Sequence, residues 1–320
     1  ITQPFTTRPE GPAFTAARTF TVDTAGGAGR YTTIQAAVIA ATAGTEIVVN
    51  PGTYYESLSF PTSGTPGQWI KLTANGNVQI DGSDPAVSAG MSSGWVRHTD
   101  PACTLNCNNL WRKVIGTSYS GIWMNGYYLF RHVATYVGDP IKEKTARENF
   151  LNSISGHLDG AECTITPGTV EDNVVSEGYY TDGTNIYLRL EPGKVLTAQS
   201  FTVSRYPLGL DIDRRDWIWV EGFTIQHFGS TEFGTGSVEI YNGNYNIIRN
   251  NKILRNKHGV RVVWENRDIA KVDTVTEALA DEGGAFNRVE GNEISSNLRL
   301  EHERYCKTKK GAAFIPLGIA

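Results

Sequence analysis

Between Leu210 and Val263 three short segments place ionisable side chains at matching positions: Leu210-Asp211-Ile212-Asp213, Val238-Glu239-Ile240-Tyr241 and Val260-Arg261-Val262-Val263. Apolar and polar residues alternate in each. In an extended strand, successive side chains point to opposite faces. Asp211, Asp213, Glu239, Tyr241 and Arg261 therefore share the face turned away from the apolar one. If the segments stack as neighbouring strands, about 4.8 Å apart, Asp211, Glu239 and Arg261 form one column, and Asp213 and Tyr241 the next. His258 precedes the third segment and is expected at the edge of the same groove. Two neighbouring carboxyl groups can cleave a glycosidic bond, one giving a proton and the other acting as nucleophile or base. In an elimination, Arg261 or His258 would instead be the base, with the carboxylates holding a cation. Read without chemistry, the same face is a solvated strand surface with Glu239 paired to Arg261.

These positions matter only if the chain stacks, and the sequence carries a repeat that says it does. An aromatic, an aliphatic three residues on, Gly or Asn two further, and then Ile recur as Trp217…Val220…Gly222…Ile225, Tyr245…Ile248…Asn250…Ile253 and Phe286…Val289…Gly291…Ile294. Leu210 precedes Trp217, and Val238 precedes Tyr245, by the same seven residues; the third copy is stretched by an insertion before Phe286. Short alternating runs separated by Gly and Asn, where left-handed backbone is cheap, predict a β-solenoid. An antiparallel sandwich is the rival arrangement of many short strands. Leu210, Ile212, Val220, Ile225, Val238, Ile240, Ile248, Ile253, Val260, Val262, Val289 and Ile294 are the expected core. Asn250, Asn251 and Asn292 are expected to stack at turns and bond backbone.

Asn246-Ile247-Ile248-Arg249-Asn250-Asn251-Lys252-Ile253 and His258-Gly259-Val260-Arg261-Val262 carry a family likeness. The stretch resembles the right-handed parallel β-helix of the pectin lyase-like superfamily, where a G-V-x-V strand is followed by N-x-I-x-N-x-x-I. The resemblance implies an all-β fold: a right-handed parallel β-helix with an N-terminal capping helix and an inserted β-rich subdomain. It implies that the face carrying Asp211, Glu239 and Arg261 floors a substrate cleft. It covers Leu210 to Ile294 well and the N-terminal part less well. His258-Gly259-Val260-Arg261 is similar to strands of polygalacturonases, but that family's Asp-Asp and Asn-Thr-Asp motifs are absent and Val263 stands where its Lys would be. The W-I-D-H pattern of pectate lyases has a partial counterpart in Asp216-Trp217-Ile218-Trp219. The member family is not assignable, and the fold hosts lyases, hydrolases, esterases and binding proteins alike.

The expected activity is that of a secreted carbohydrate-active enzyme, a glycoside hydrolase or polysaccharide lyase acting on a polysaccharide. A non-catalytic, glycan- or surface-binding β-helix is the alternative. The catalytic candidates are Asp211, Asp213, Glu239, His258 and Arg261; Tyr241 and Trp264 are the substrate-binding ones. No cofactor is required by this reading. Ca²⁺ is the one ion the carboxylates suggest, though such sites need six or more oxygen ligands. A net charge of −4 gives no basic surface for nucleic acid, and no apolar run reaches membrane-spanning length. The chain opens at Ile1 without Met, as a processed, secreted protein would.

In chain order, residues 1–94 read as a lead-in, a helix and the first coils. Ile34, Ala37, Val38 and Ala41 share a helical face, with Thr32 or Thr33 as N-cap and Gly44 as the stop. Residues 95–200 interrupt the repeat and read as an inserted, mostly β subdomain, with a helical turn at Ala146–Leu151 and a hairpin around Asp182-Gly183. Coils return at 201–297, broken by a charged insertion with a short helix expected at Thr274–Ala280; residues 298–320 form a tail without repeat. Of four cysteines, Cys103 and Cys107 are expected to form a local disulfide, with zinc binding or buried thiols as rivals. Cys163 and Cys306 are expected to be a long-range pair or, preferably, free thiols.

Overall fold

The computed structural model describes residues 12–104, 106–116, 119–132, 145–152, 177–229, 236–263 and 286–295. The chain is mostly β, with few helices, and is built around three parallel sheets. The first sheet holds Leu58–Ser59, Leu210–Asp213, Val238–Tyr241 and Val260–Val263. The second has seven strands, among them Thr45–Val49, Ile70–Ala74, Ile218–Glu221, Ile247–Arg249 and Arg288–Glu290. The third has five, Gly52–Tyr54, Val78–Asp81, Thr224–Gln226, Lys252–Leu254 and Glu293–Ser295. From Leu58 to Ser295, the antiparallel insert aside, each pass of the chain lays one strand in each sheet. Residues of successive passes lie in register: Leu210 with Val238, Val220 with Ile248, Ile225 with Ile253. This arrangement is consistent with a parallel β-helix.

The corners explain the repeat. Trp217, Gly222 and His227 have positive φ, and so do Tyr245, Asn250 and Arg255 one pass later. Each such residue bends the chain and turns the next one inward. In the first pass those next residues are Ile218, Phe223 and Phe228; in the second they are Asn246, Asn251 and Asn256, all six buried. Each Asn amide stitches two passes together. Asn246 accepts from the Ile218 N–H and donates to the Arg215 carbonyl, both at 2.9 Å. Asn251 does the same with Phe223 N–H at 3.0 Å and the Val220 carbonyl at 3.1 Å. Asn256 does so with Phe228 and Ile225. Asn287 and Asn292 extend two of these columns. Asn251 and Asn292 thus stack and bond backbone as expected. Asn250 does not: it is the bend itself, with φ +53, and its place in the column is taken by its neighbour. A non-Gly residue in this region is strained. At Trp217, Tyr245 and Phe286 the rings stack in compensation, with centroids 4.5 and 5.0 Å apart and planes within 9°.

Eight of the twelve expected core residues, Leu210, Ile212, Val220, Ile225, Val238, Ile240, Ile248 and Ile253, have no exposed surface. Val260 and Val289 are partly buried, while Val262 and Ile294 are 45% and 48% exposed. These four lie on the last described strand of each sheet. A stacked core is closed only by the next pass, and none is described beyond them.

At the other end a helix, Ile34–Ala40, covers the core with Ile34, Ala37 and Val38. Thr33 is its N-cap, accepting from the Ala36 N–H. The helix stops at Ala40, ahead of the expected Gly44. Glu56, not singled out from sequence, accepts from the N–H groups of Ile34 and Gln35 at 3.0 and 2.9 Å, satisfying first-turn donors. The Gln35 amide in turn bonds both the N–H and the carbonyl of Ser59, closing the edge of the first sheet.

The antiparallel insert leaves the third sheet after Asp81 and returns at Ser204, which bridges to Ser83. Its entry is therefore earlier than residue 95: the helix Pro85–Gly90 packs with the strand Phe201–Ser204. It contains a three-stranded and a four-stranded sheet with a core of its own. The hairpin Gly178–Thr181 and Asn185–Arg189, and the helix Ala146–Leu151, stand where the sequence puts them. Cys103 and Cys107 are joined by a disulfide. Cys163, Cys306, the segment Thr274–Ala280 and the tail from residue 298 lie outside the described residues. Among the described residues no helix is long and apolar enough to cross a membrane.

Candidate functional site

The outer face of the first sheet carries a ranked row. Ser59, Asp211, Glu239 and Arg261 lie side by side on successive strands, and Asp213, Tyr241 and Val263 form the next rank. Strong register follows from the buried Leu210, Ile212, Val238 and Ile240, because a one-residue slip would turn every carboxylate into the core. Arg261 Nη1 donates to Glu239 Oε2 at 3.2 Å, and the Gly236 N–H donates to the same oxygen at 3.2 Å. The Glu239 side chain is only 12% exposed. Burial pushes the Asp211 carboxyl above its usual range; the charges of Asp213 and Glu239 push the same way, and Arg215 opposes them. Asp213 is exposed and lies 3.8 Å from Arg214.

The structure thus brings Asp211, Glu239 and Arg261 together, with Asp213 and Tyr241 beside them. His258 does not join the rank. It lies three residues before Arg261, its carbonyl accepts from the Ser237 N–H, and its Nε2 is buried. Trp264 lies outside the described residues. Among the described residues no group of three or more His, Cys, Asp or Glu converges as a metal site would require.

One solved structure is similar to this chain: "The complex structure of XylC with xylose". The two are 16% identical with a TM-score of 0.42, and the match covers 87% of this chain and 54% of the other. The chain therefore spans about half the length of that structure. No protein-family model matches the sequence. No curated protein matches it either.

Two features escaped the sequence reading. The first is a groove of about 510 Å³ on the outer face of the second sheet, with Lys71, Trp219, Glu221 and Arg249 in its wall. The alternation that turns Asp211 to the outer face turns these residues outward too, but on the second strand of each pass. The second is a buried contact where the coils meet the insert. Asp81, 5% exposed, lies 3.0 Å from His227 Nδ1 and accepts from Gln226 Nε2 at 2.8 Å and the Ser83 N–H at 2.9 Å. Trp123 of the insert packs edge-on against His227. Burial alone would raise the Asp81 carboxyl; the bond to His227, its charge and the Ser83 contacts outweigh burial and hold it below the usual range. Nothing in the repeat points to this pair, whose members stand 146 residues apart.

Proposed function

We propose that this protein is a secreted, right-handed parallel β-helix of the pectin lyase-like kind that cleaves glycosidic bonds in a polysaccharide lying across the first sheet. The observation that carries the reading is the rank Asp211–Glu239–Arg261. Asp211 has a raised carboxyl group, suited to holding a proton for the leaving oxygen. Glu239 is held as an acceptor by Arg261 and Gly236, suited to attack or to base catalysis. The separation of the two carboxyl groups sets the stereochemistry, roughly 5–5.5 Å for retention and 6.5–9.5 Å for inversion, and Tyr241 in the adjoining rank is placed to touch the sugar. The insert would form a wall of the cleft.

The Glu239–Arg261 pair also supports a second reading, a non-catalytic β-helix that binds glycan or a surface. A screen over many polysaccharides separates the two, with pull-down, reducing-sugar release and ultraviolet absorbance of unsaturated product as readouts. Cleavage by the wild type, reduced about 100-fold or more in Asp211→Asn and Glu239→Gln with melting temperature unchanged, is expected. Equal activity in Asp211→Asn, Glu239→Gln and Arg261→Ala would reduce the rank to surface ion pairs. Binding without product would favour the second reading.

A further inference from the structure

The groove on the second sheet is built differently from the Asp211 rank. Lys71 is neutralised on both sides, 3.3 Å from Glu46 and 3.0 Å from Glu221, and its ammonium lies 4.7 Å over the Trp219 ring. The Trp219 indole N–H donates to Glu221 Oε2 at 2.9 Å, which fixes that carboxylate in the wall. Thr73 hydrogen-bonds Glu46. Arg249, in register with Glu221 on the neighbouring strand, is the exception. Its guanidinium makes no hydrogen bond among the described residues, and its ion pair with Glu290 is long, at 3.9 Å. Glu290 is already held by Arg288, whose Nη2 reaches both oxygens at 2.9 and 3.0 Å. A guanidinium in a groove wall with its planar fork unspent is suited to an external carboxylate. The fixed Glu221 beside it disfavours a dianion such as phosphate and offers an acceptor to a hydroxyl group.

We infer that this groove is a binding site for a sugar acid: Arg249 takes the carboxylate, Glu221 accepts from an adjacent hydroxyl, and the site is separate from the first-sheet cleft. It lies on a different sheet, so it stands or falls apart from the proposed cleavage activity.

The Trp219 indole N–H is a built-in reporter, assigned in ¹⁵N-tryptophan-labelled protein by loss of its signal in Trp219→Phe. Methyl glucuronide, methyl glucoside and acetate are titrated separately. The expected result is a saturable shift of the Trp219 signal with the glucuronide, at an affinity at least tenfold above that for glucoside or acetate. Arg249→Ala should weaken it at least tenfold, and Arg249→Lys, which keeps charge and bulk without the fork, should restore only part. Glu239→Gln should titrate like the wild type whether or not it cleaves polysaccharide. The inference is overturned if the Trp219 signal does not move, if acetate binds as well as the glucuronide, or if both Arg249 variants, folded by their melting temperature, bind as the wild type does.

Discussion

Between Leu210 and Leu254 every strand pairs with the equivalent strand of the pass before or after it. Between Val96 and Ser204 partners are found with no fixed interval: Asn185 lies opposite Val114, and Gly121 opposite Ser204. The two regions also bury polar groups differently. The coils bury Asn246, Asn251 and Asn256, and both ends of each amide meet a backbone partner. The insert buries Arg189 completely, with one nitrogen on the Phe150 carbonyl, the guanidinium over the Phe150 ring, and Nε and Nη1 without partners among the described residues. Burial pushes the Arg189 guanidinium down to about 10. A repeat solves the problem of a buried polar group once and reuses the solution. A non-repeating region must solve it locally, and here does so incompletely.

If the coils are a cooperative stack, the largest loss should come from their middle. Ile248, fully buried between Val220 and Val289, should cost about 2–5 kcal/mol when cut to Ala, read by denaturant unfolding. A cost below about 1 kcal/mol would mean the stack has slack that the structure does not show. Asn251→Ala comes next. It orphans the Phe223 N–H and the Val220 carbonyl together, and about 2–3 kcal/mol is expected, the upper part of the range for unsatisfied buried groups.

The junction between the regions should respond to acid. The Asp81 carboxyl is held low, so the stability it contributes is complete above its unfolded value, near 4, and is lost as pH falls through the lower folded value. Asp211, held high, has the opposite sign: its contribution is complete below its unfolded value and is lost as pH rises through the folded one. Thermal melts against pH should therefore show a flatter acid limb in Asp81→Asn and a steeper one in Asp211→Asn. An unchanged acid limb in Asp81→Asn would remove that contact from the comparison. The smallest effect is expected in the insert. Arg189→Met should change stability by less than about 1 kcal/mol despite full burial, because it removes a desolvated charge along with its contacts. A loss of several kcal/mol would show the guanidinium to be as well satisfied as the Asn columns.

The same contrast decides what could be read from residues alone. The alternation in Leu210–Asp213 and Val238–Tyr241, and the recurrence of Trp217 and Tyr245, determined the strands, their inner and outer faces and the Asp211–Glu239–Arg261 rank. Alternation and stacking are local rules, and local rules survive without coordinates. They misassigned Asn250 because column and bend are adjacent residues of the same type, and only the backbone at φ +53 separates them. The tertiary structure alone decided the rest. Glu56 reaches the helix at Ile34, Asp81 meets His227 across 146 residues, and Arg249 comes to face a groove with Lys71. Such contacts depend on which coils become neighbours once the insert has been looped out between Ser83 and Ser204, and no periodicity in the sequence encodes that distance.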